Sequence, residues 1–352
     1  MMNVLMIGVD ETSIGGMLTV VNNYRNNKKF GKQTNLKYIA TVIRANKFTK
    51  IKTFISKIPQ IISTIKKDNI DIVHVHMAER GSVFREGFVI FMANMLGCKT
   101  VIHMHGADIE DWYNKQNGFV KKIISKIFCS ADRMIVLGDN WLPFMRNAMK
   151  GHEEKIRVLH NAVQVEEKNK ADENATDILF YGMLIKRKGI EDLLAAFEKI
   201  KDDIPDNIRL RLYGDNKEFD DKEKLKQYHL EKVATYEGWM TSEKRPEVFS
   251  NTLINILPSY NEGLPMTILE SMGYGIPNIS TNIAAIPEAI TDGENGFVIE
   301  PGDINALAEC MKKLILDKSL WKKFSQNAYK TAKEEFSIEA HIKQLIDIYK
   351  QI

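Results

Sequence analysis

Cysteine is scarce in this chain. There are three in 352 residues, Cys98, Cys129 and Cys310, far apart and never as a CxxC pair. That spacing excludes a disulfide framework and a cysteine zinc site, and it fits a reducing cytoplasm. No apolar run approaches the roughly 20 residues that a spanning helix needs. The opening MMNVLMIGVDETSIGG is apolar but short and carries Asp10 and Glu11, so it reads as a first strand rather than a signal peptide. Acidic residues are missing altogether from Thr12 to Lys67, whereas Arg25, Lys28, Lys29, Lys32, Lys37, Arg44, Lys47, Lys50, Lys52, Lys57, Lys66 and Lys67 crowd the same stretch. A one-signed block of this kind, 25–67, suits an anionic membrane surface at the inner face of a cell membrane. Nucleic acid is the weaker partner, because no RNP, KH or helix-turn-helix pattern occurs and aromatics do not alternate with the basic residues. A dinucleotide-binding GxGxxG is absent too, since Gly8 and Gly15 lie too far apart.

Strand-like apolar runs alternate with longer amphipathic stretches. Val4–Ile7, Tyr38–Val42, Ile72–Val75, Thr100–His103, Arg133–Leu137 and Ile156–Leu159 form one series. The polar segment 164–177 interrupts it as a linker, and Ile178–Tyr181, Arg209–Tyr213, Val233–Tyr236, Leu253–Leu257 and Asn278–Ser280 form a second. Such alternation predicts two doubly wound parallel sheets with helices on both faces. Residues 303–316 and 320–352 read as helical. The helix 48–67 carries Ile51, Phe54, Ile55, Ile58, Ile61, Ile62 and Ile65 at helical spacing with lysines between, a stripe that suits either a lipid surface or the sheet.

The most informative stretch is Leu257 to Pro277, LPSYNEGLPMTILESMGYGIP. It predicts a buried strand end, a turn at Asn261-Glu262-Gly263, and a helix with Pro265 at its first position. The backbone N–H groups of such a helix start attract phosphate or hydroxyl oxygens. Glu262 and Glu270 bracket it, and an ionised carboxylate accepts two hydroxyls of a diol. Upstream, ILFYGMLIKRKG (Ile178 to Gly189) sets Lys186, Arg187 and Lys188 where a phosphate would meet the next helix. His74, His76, His103 and His105 end two strands as paired HxH. No HExxH, carboxylate cluster or strand-end DxD accompanies them, so a packed role is expected for each and no metal is expected.

PSYNEGLPMTILESMGYGIPNIS, followed by IPEAI, DGENGF and PGD, resembles the C-terminal signature of the GT-B glycosyltransferases of family 4, and IHMHGAD resembles that family's HG-x-D segment. The resemblance implies two Rossmann-like domains facing across a cleft. They are an acceptor-side domain over 1–163 and a nucleotide-sugar domain over 178–335, with the terminal helix 336–352 packing back on the first. It implies a retaining, metal-independent glycosyltransferase without a cofactor, using a UDP- or GDP-linked sugar donor and a glycan or lipid-linked acceptor in cell-surface polysaccharide synthesis. The alternative is a non-catalytic sugar-nucleotide-binding or scaffold protein of the same fold.

By the same resemblance His105 and Glu262 are catalytic. Gly16, Arg187, Lys188, Gly214, Met240, Gly263, Leu264, Pro265 and Glu270 hold the donor, and Gly15, Arg85 and Asp108 face the acceptor. The segment Met77 to Glu86 looks like an acceptor-side loop, and Trp239 in the Gly-Trp turn is expected in the core. One departure stands out: Met183 occupies the place of the family's arginine.

Overall fold

The computed structural model describes residues 1–11, 16–43, 45–216 and 219–352. The chain divides into two units, Met1–Asn161 with Ile338–Ile352, and Ala162–Ser337.

The first unit is built on six parallel strands: β1 (Met2–Val9), β2 (Thr34–Val42), β3 (Ile72–Met77), β4 (Lys99–Met104), β5 (Arg133–Val136) and β6 (Ile156–Val158), in the order β2-β1-β3-β4-β5-β6. Every residue of β3 is buried, including His74 and His76, because helices cover both faces of a parallel sheet. Leu5, Ile7, Val73, Val75 and Ile102 form the core with Phe128 and Met134. Asparagine starts several of the helices: Asn46 Oδ1 accepts from Thr49 N at 2.9 Å, and Asn117 Oδ1 accepts from Val120 N at 3.0 Å.

The segment expected as a loop over Met77 to Glu86 is mostly helix. Gly81–Met95 is one continuous helix, and only Ala78 to Arg80 turn. Ser82 and Glu86 lie one helical turn apart, and Ser82 Oγ donates to the fully buried Glu86 Oε2 at 2.8 Å, which fixes this turn inward.

The second unit repeats the plan with β7 (Asp177–Tyr181), β8 (Arg209–Tyr213), β9 (Ala234–Gly238), β10 (Thr252–Leu257), β11 (Asn278–Thr281) and β12 (Gly296–Ile299), in the order β12-β11-β10-β7-β8-β9. β12 falls in the DGENGF region, whose glycines and polar residues hide it from apolar periodicity. Within the core Asn255 Nδ2 donates to Asn278 Oδ1 at 2.7 Å and to Ser271 Oγ at 3.2 Å, tying β10, β11 and the intervening helix. Residues 164–176 form neither helix nor strand, but they lie along this unit: Lys170 N donates to Tyr274 O at 3.1 Å and Asn169 Nδ2 to Ser325 Oγ at 2.9 Å.

The terminal helical stretch is broken in two, Lys318–Glu335 and Ile338–Lys350. Val163 N donates to Phe336 O at 2.9 Å and Val163 bridges Ser337, so these residues are drawn out of the helix into a strand-like pairing.

Candidate functional site

In the second unit β7 lies beside β10, the point where the winding reverses, and ligands of open α/β sheets bind beyond the strand ends at such a point. After β7 the chain enters one 3-10 turn, Lys186–Lys188, then the helix Ile190–Ile200. Gly189 joins them at φ +69°, and a Cβ there would lie 1.9 Å from Pro258 O. The two loops can therefore approach only because position 189 has no side chain. Arg187 Nη1 donates to Asn261 O at 2.6 Å, and Tyr260 N donates to Arg187 O at 2.8 Å, stitching the loops further.

Lys188 Nζ donates to Glu262 Oε1, which also accepts from Ser259 Oγ at 2.7 Å. Both side chains of the pair are largely buried. Glu262 Oε2 takes no hydrogen bond from the described residues and remains an open acceptor.

Gly263, Leu264 and Pro265 lead into the helix Met266–Tyr274. Pro265 is its N-cap at ψ 125°, so the helix begins at Met266, one residue after the expected start at Pro265. The first turn leaves backbone N–H groups without intrahelical partners. Thr267 Oγ1 in that turn is buried and unpartnered, whereas the Leu264 side chain belongs to the core.

Glu270 faces a partner that sequence reasoning missed. Arg245 Nη1 donates to Glu270 Oε1 at 2.9 Å, Arg245 Nη2 donates to Tyr181 Oη at 3.3 Å, and the guanidinium lies 5.8 Å from the Tyr181 ring centroid. Burial pushes the Glu270 carboxyl up to about 7, against the pull of Arg245. Glu270 Oε2 takes no hydrogen bond from the described residues. Arg245 and Glu270 are 25 positions apart on different helices, and nothing in linear spacing joins them. The only available signal was a lone arginine before Pro246 at a helix start.

Gly214 follows β8 at φ +148°, packed so closely on Gly182 O that no side chain would fit. The Met240 side chain is core, packed with Leu179, Phe249 and Ile276, which leaves only its backbone for a ligand. Trp239, expected in the core, is 43% exposed instead. The turn after Gly238 (φ +80°) carries Trp239 outward and Met240 inward. Met183 is 40% exposed and holds no charge near the three basic residues.

In the first unit the winding reverses between β1 and β3. Gly16 is the first residue of the helix Gly16–Asn26 and is exposed; Gly15 lies outside the described residues. His105 N donates to Met77 O at 2.7 Å, which sets its ring beside His76, with His105 Nε2 2.9 Å from His76 Nδ1. Burial, helped by His341, lowers the His105 imidazole to about 3, so it is neutral and offers Nδ1 as a hydrogen-bonding atom rather than as a positive charge. Arg85 is not a free surface arginine: its Nε donates at 2.8 Å to Glu86 Oε1, which also accepts from Thr41 Oγ1 at 3.2 Å. Asp108 opens the helix Ile109–Asn114 without a side-chain capping bond, and Trp112 N donates to its carbonyl at 2.8 Å.

Residues 164–331 match the family model described as Glycosyl transferases group 1, and residues 22–167 match that described as Glycosyltransferase Family 4. An uncharacterized 41.2 kDa protein in the cps region of Klebsiella pneumoniae is 24% identical over 99% of this chain and 99% of its own. The capsular polysaccharide biosynthesis glycosyltransferase CapM of Staphylococcus aureus is 26% identical over 66% of this chain and 65% of its own length. Among solved structures, Anabaena HepE in complex with UDP superposes with a TM-score of 0.79 at 13% identity, covering 100% of both chains. At that identity the likeness is one of fold, and the fold is GT-B.

Proposed function

This chain belongs to the GT-B glycosyltransferases of family 4, and from that premise we propose that it moves a sugar from a nucleotide-diphosphate donor to a glycan or lipid-linked acceptor of a cell-surface polysaccharide, with retention at the anomeric carbon. The observation that carries this reading is the meeting of Lys188 and Glu262 at the reversal point of the second sheet, beside the start of the helix Met266–Tyr274. CapM is named for capsular polysaccharide biosynthesis, and HepE was solved with UDP, which supports the donor and product classes.

In the proposed reaction the diphosphate lies against the helix start and draws Lys188 away from Glu262. The released carboxylate, with Oε2 already open, then accepts hydroxyls of the donor sugar. The bond from the anomeric carbon to the diphosphate oxygen breaks as the acceptor oxygen bonds on the same face. The acceptor's hydroxyl proton passes to the departing phosphate oxygen, so no enzyme nucleophile is required. Lys188 and the helix amides stabilise the charge that grows on the leaving group. Glu270 binds the ribose diol through Oε2, and His105 offers a neutral nitrogen to a sugar hydroxyl. No metal or cofactor enters this scheme.

The first unit supports a membrane partner. The helices Lys47–Lys67, Gly81–Met95 and Gly118–Ser130 contain a single acidic residue, Glu86, which is fully buried. Exposed on them are Phe48, Ile51, Ile55, Phe84, Phe88, Phe91, Met95 and Phe119, with Met95 72% exposed, among lysines 50, 52, 57, 121, 122 and 126. The Phe54 and Phe88 rings meet at 6.2 Å, and Gly87 lets the second helix close on Ile127 of the third, so these side chains share one face. Apolar side chains among unopposed lysines suit an anionic leaflet, which would bring a lipid-linked acceptor to the enzyme.

The experiment is a thermal-shift panel of nucleotide sugars followed by a transfer assay. A donor that stabilises the protein and is turned over, with turnover lost in Glu262→Ala, supports the reading. Stabilisation without turnover under any acceptor would leave a binding protein instead.

A further inference from the structure

We propose that His74, His76 and His103 form a binding site for a late first-row transition-metal ion, buried under the first sheet. The inference stands on this cluster alone and does not depend on the sugar-transfer reading.

Strand alternation sends His74 and His76 of β3 to the same face, and the register sets His103 of β4 directly beside His76. All three are buried. Their rings lie 4.8, 5.3 and 5.4 Å apart, and one ligand nitrogen from each falls within 4.8 Å of the others. A triangle with edges no longer than 4.8 Å has a centre no more than about 2.8 Å from its corners, so a 2.0–2.1 Å metal–imidazole distance takes an inward move of about 0.7 Å by each nitrogen together with a turn of the rings, which stack at 19° and 29° in two of the three pairs, to aim their in-plane lone pairs at one centre.

The hydrogen-bond pattern is the second observation. Four buried ring nitrogens have no partner among the described residues: His74 Nε2, His76 Nε2 and both nitrogens of His103. Unmet buried polar atoms are rare and each is destabilising, so four in one place point to a shared occupant. The other nitrogens of the first two rings are engaged, His74 Nδ1 with Tyr349 Oη at 2.6 Å and His76 Nδ1 with His105 Nε2 at 2.9 Å. When those Nδ1 atoms carry the protons, both Nε2 atoms present lone pairs. This is the arrangement of metal-binding histidines, whose second N–H is held by an outer partner. Three imidazoles without a carboxylate suit zinc or copper rather than magnesium or calcium.

Through its outer partners an ion here would fix β3, β4, the terminal helix at Tyr349 and the ring of His105. Its role is structural, since no ligand of the site is placed on substrate.

His103→Leu tests this cleanly, because among the described residues the His103 ring makes no hydrogen bond that the change could break. The full chain and the variant are expressed in zinc-supplemented medium and in copper-supplemented medium, and their metal content and melting temperatures are compared. The expected result is about one metal equivalent per wild-type chain in one of the two media, loss of that metal in His103→Leu, and a lower melting temperature for the variant. If the wild-type chain carries no metal from either medium, and His103→Leu melts at the same or a higher temperature because two unmet nitrogens have become methyl groups, the proposal is overturned.

Discussion

Lys188 Nζ and Glu262 Oε1, 74 residues apart in sequence, form the ion pair that ties the loop after β7 to the loop after β10. Each strand end contributes one charge, and the pair is largely shielded from water. Such a pair holds the two loops in register before any ligand arrives.

Replacing Glu262 by Gln should keep the Ser259 contact and the fold while lowering the transfer rate, on the order of 10²-fold or more, the range for loss of one electrostatic contact in a transition state. Lys188→Met should lower the rate comparably, and it should also destabilise the protein by about 3–5 kcal/mol, because it strands a buried carboxylate. Steady-state kinetics and chemical denaturation report the two effects separately. An unchanged rate in both variants would remove the pair from catalysis.

Glu270 carries a pH signature. Its carboxyl is raised from 4.5 to about 7 by burial, so between those values the folded protein binds a proton that the unfolded chain has released. The sign follows: this contribution to stability is full below about pH 4.5 and is lost as pH rises through about 7. Glu270→Gln should flatten that part of the stability profile. Because only the ionised carboxylate accepts two hydroxyls, KM for the donor should fall as pH rises through about 7 in wild type. Arg245→Met removes the attraction that opposes burial and should move this inflection to higher pH, whereas Arg245→Lys should restore part of it. A pH-independent KM in wild type would count against a diol on Glu270.

Local periodicity made most of the fold legible. β8 is found at its expected residues, Arg209–Tyr213, and most other strands within two residues, because parallel strands buried on both faces are short uninterrupted apolar runs. β12 was not legible, since Gly296-Phe297-Val298-Ile299 follows a turn cluster and is too short to show a period. The site was half legible. Lys188 and Glu262 announced themselves because each sits at a loop-to-helix junction. Arg245 and Tyr181 did not, because their relation to Glu270 is made by sheet order, which no window of sequence contains; Ser259 sits only three residues before Glu262, but a turn serine carries no sign of which way its hydroxyl faces. Trp239 was misjudged for a similar reason: a single turn decides whether an aromatic after Gly238 points in or out.

Gly189→Ala tests the loop junction. The new methyl would combine a left-handed backbone with a clash against Pro258 O. A loss of at least about 2 kcal/mol is expected, since strain at such a position and overpacking act together. Denaturant titration measures it, and a shift below about 0.5 kcal/mol, the scale of an ordinary surface change, would show that the two loops are not held together there.

The lysines of the first unit predict a salt-dependent membrane affinity. Changing Lys50, Lys52 and Lys57 together to Glu removes three attractions of about 1 kcal/mol each near an anionic surface, so binding should weaken by about 10²-fold or more. Flotation with vesicles of anionic and of neutral lipid measures it. Wild-type binding that is insensitive to lipid charge, or a variant that binds as well as wild type, would rule out the basic helix as an anchor.

Met183 is the last test, because it bears on catalysis and on the rival reading at once. It stands at the turn after β7, exposed, beside Lys186, Arg187 and Lys188. Met183→Arg adds a cation without displacing core atoms. At an exposed position its attraction for a diphosphate is at most about 1 kcal/mol, or roughly fivefold in affinity. Donor KM should therefore fall by a few-fold in Met183→Arg and rise in Met183→Glu. If neither charge alters KM, the diphosphate does not lie over this turn. If wild type binds donor without turning it over and Met183→Arg gains turnover, the natural chain is the non-catalytic member of the pair of readings, and the methionine is the reason.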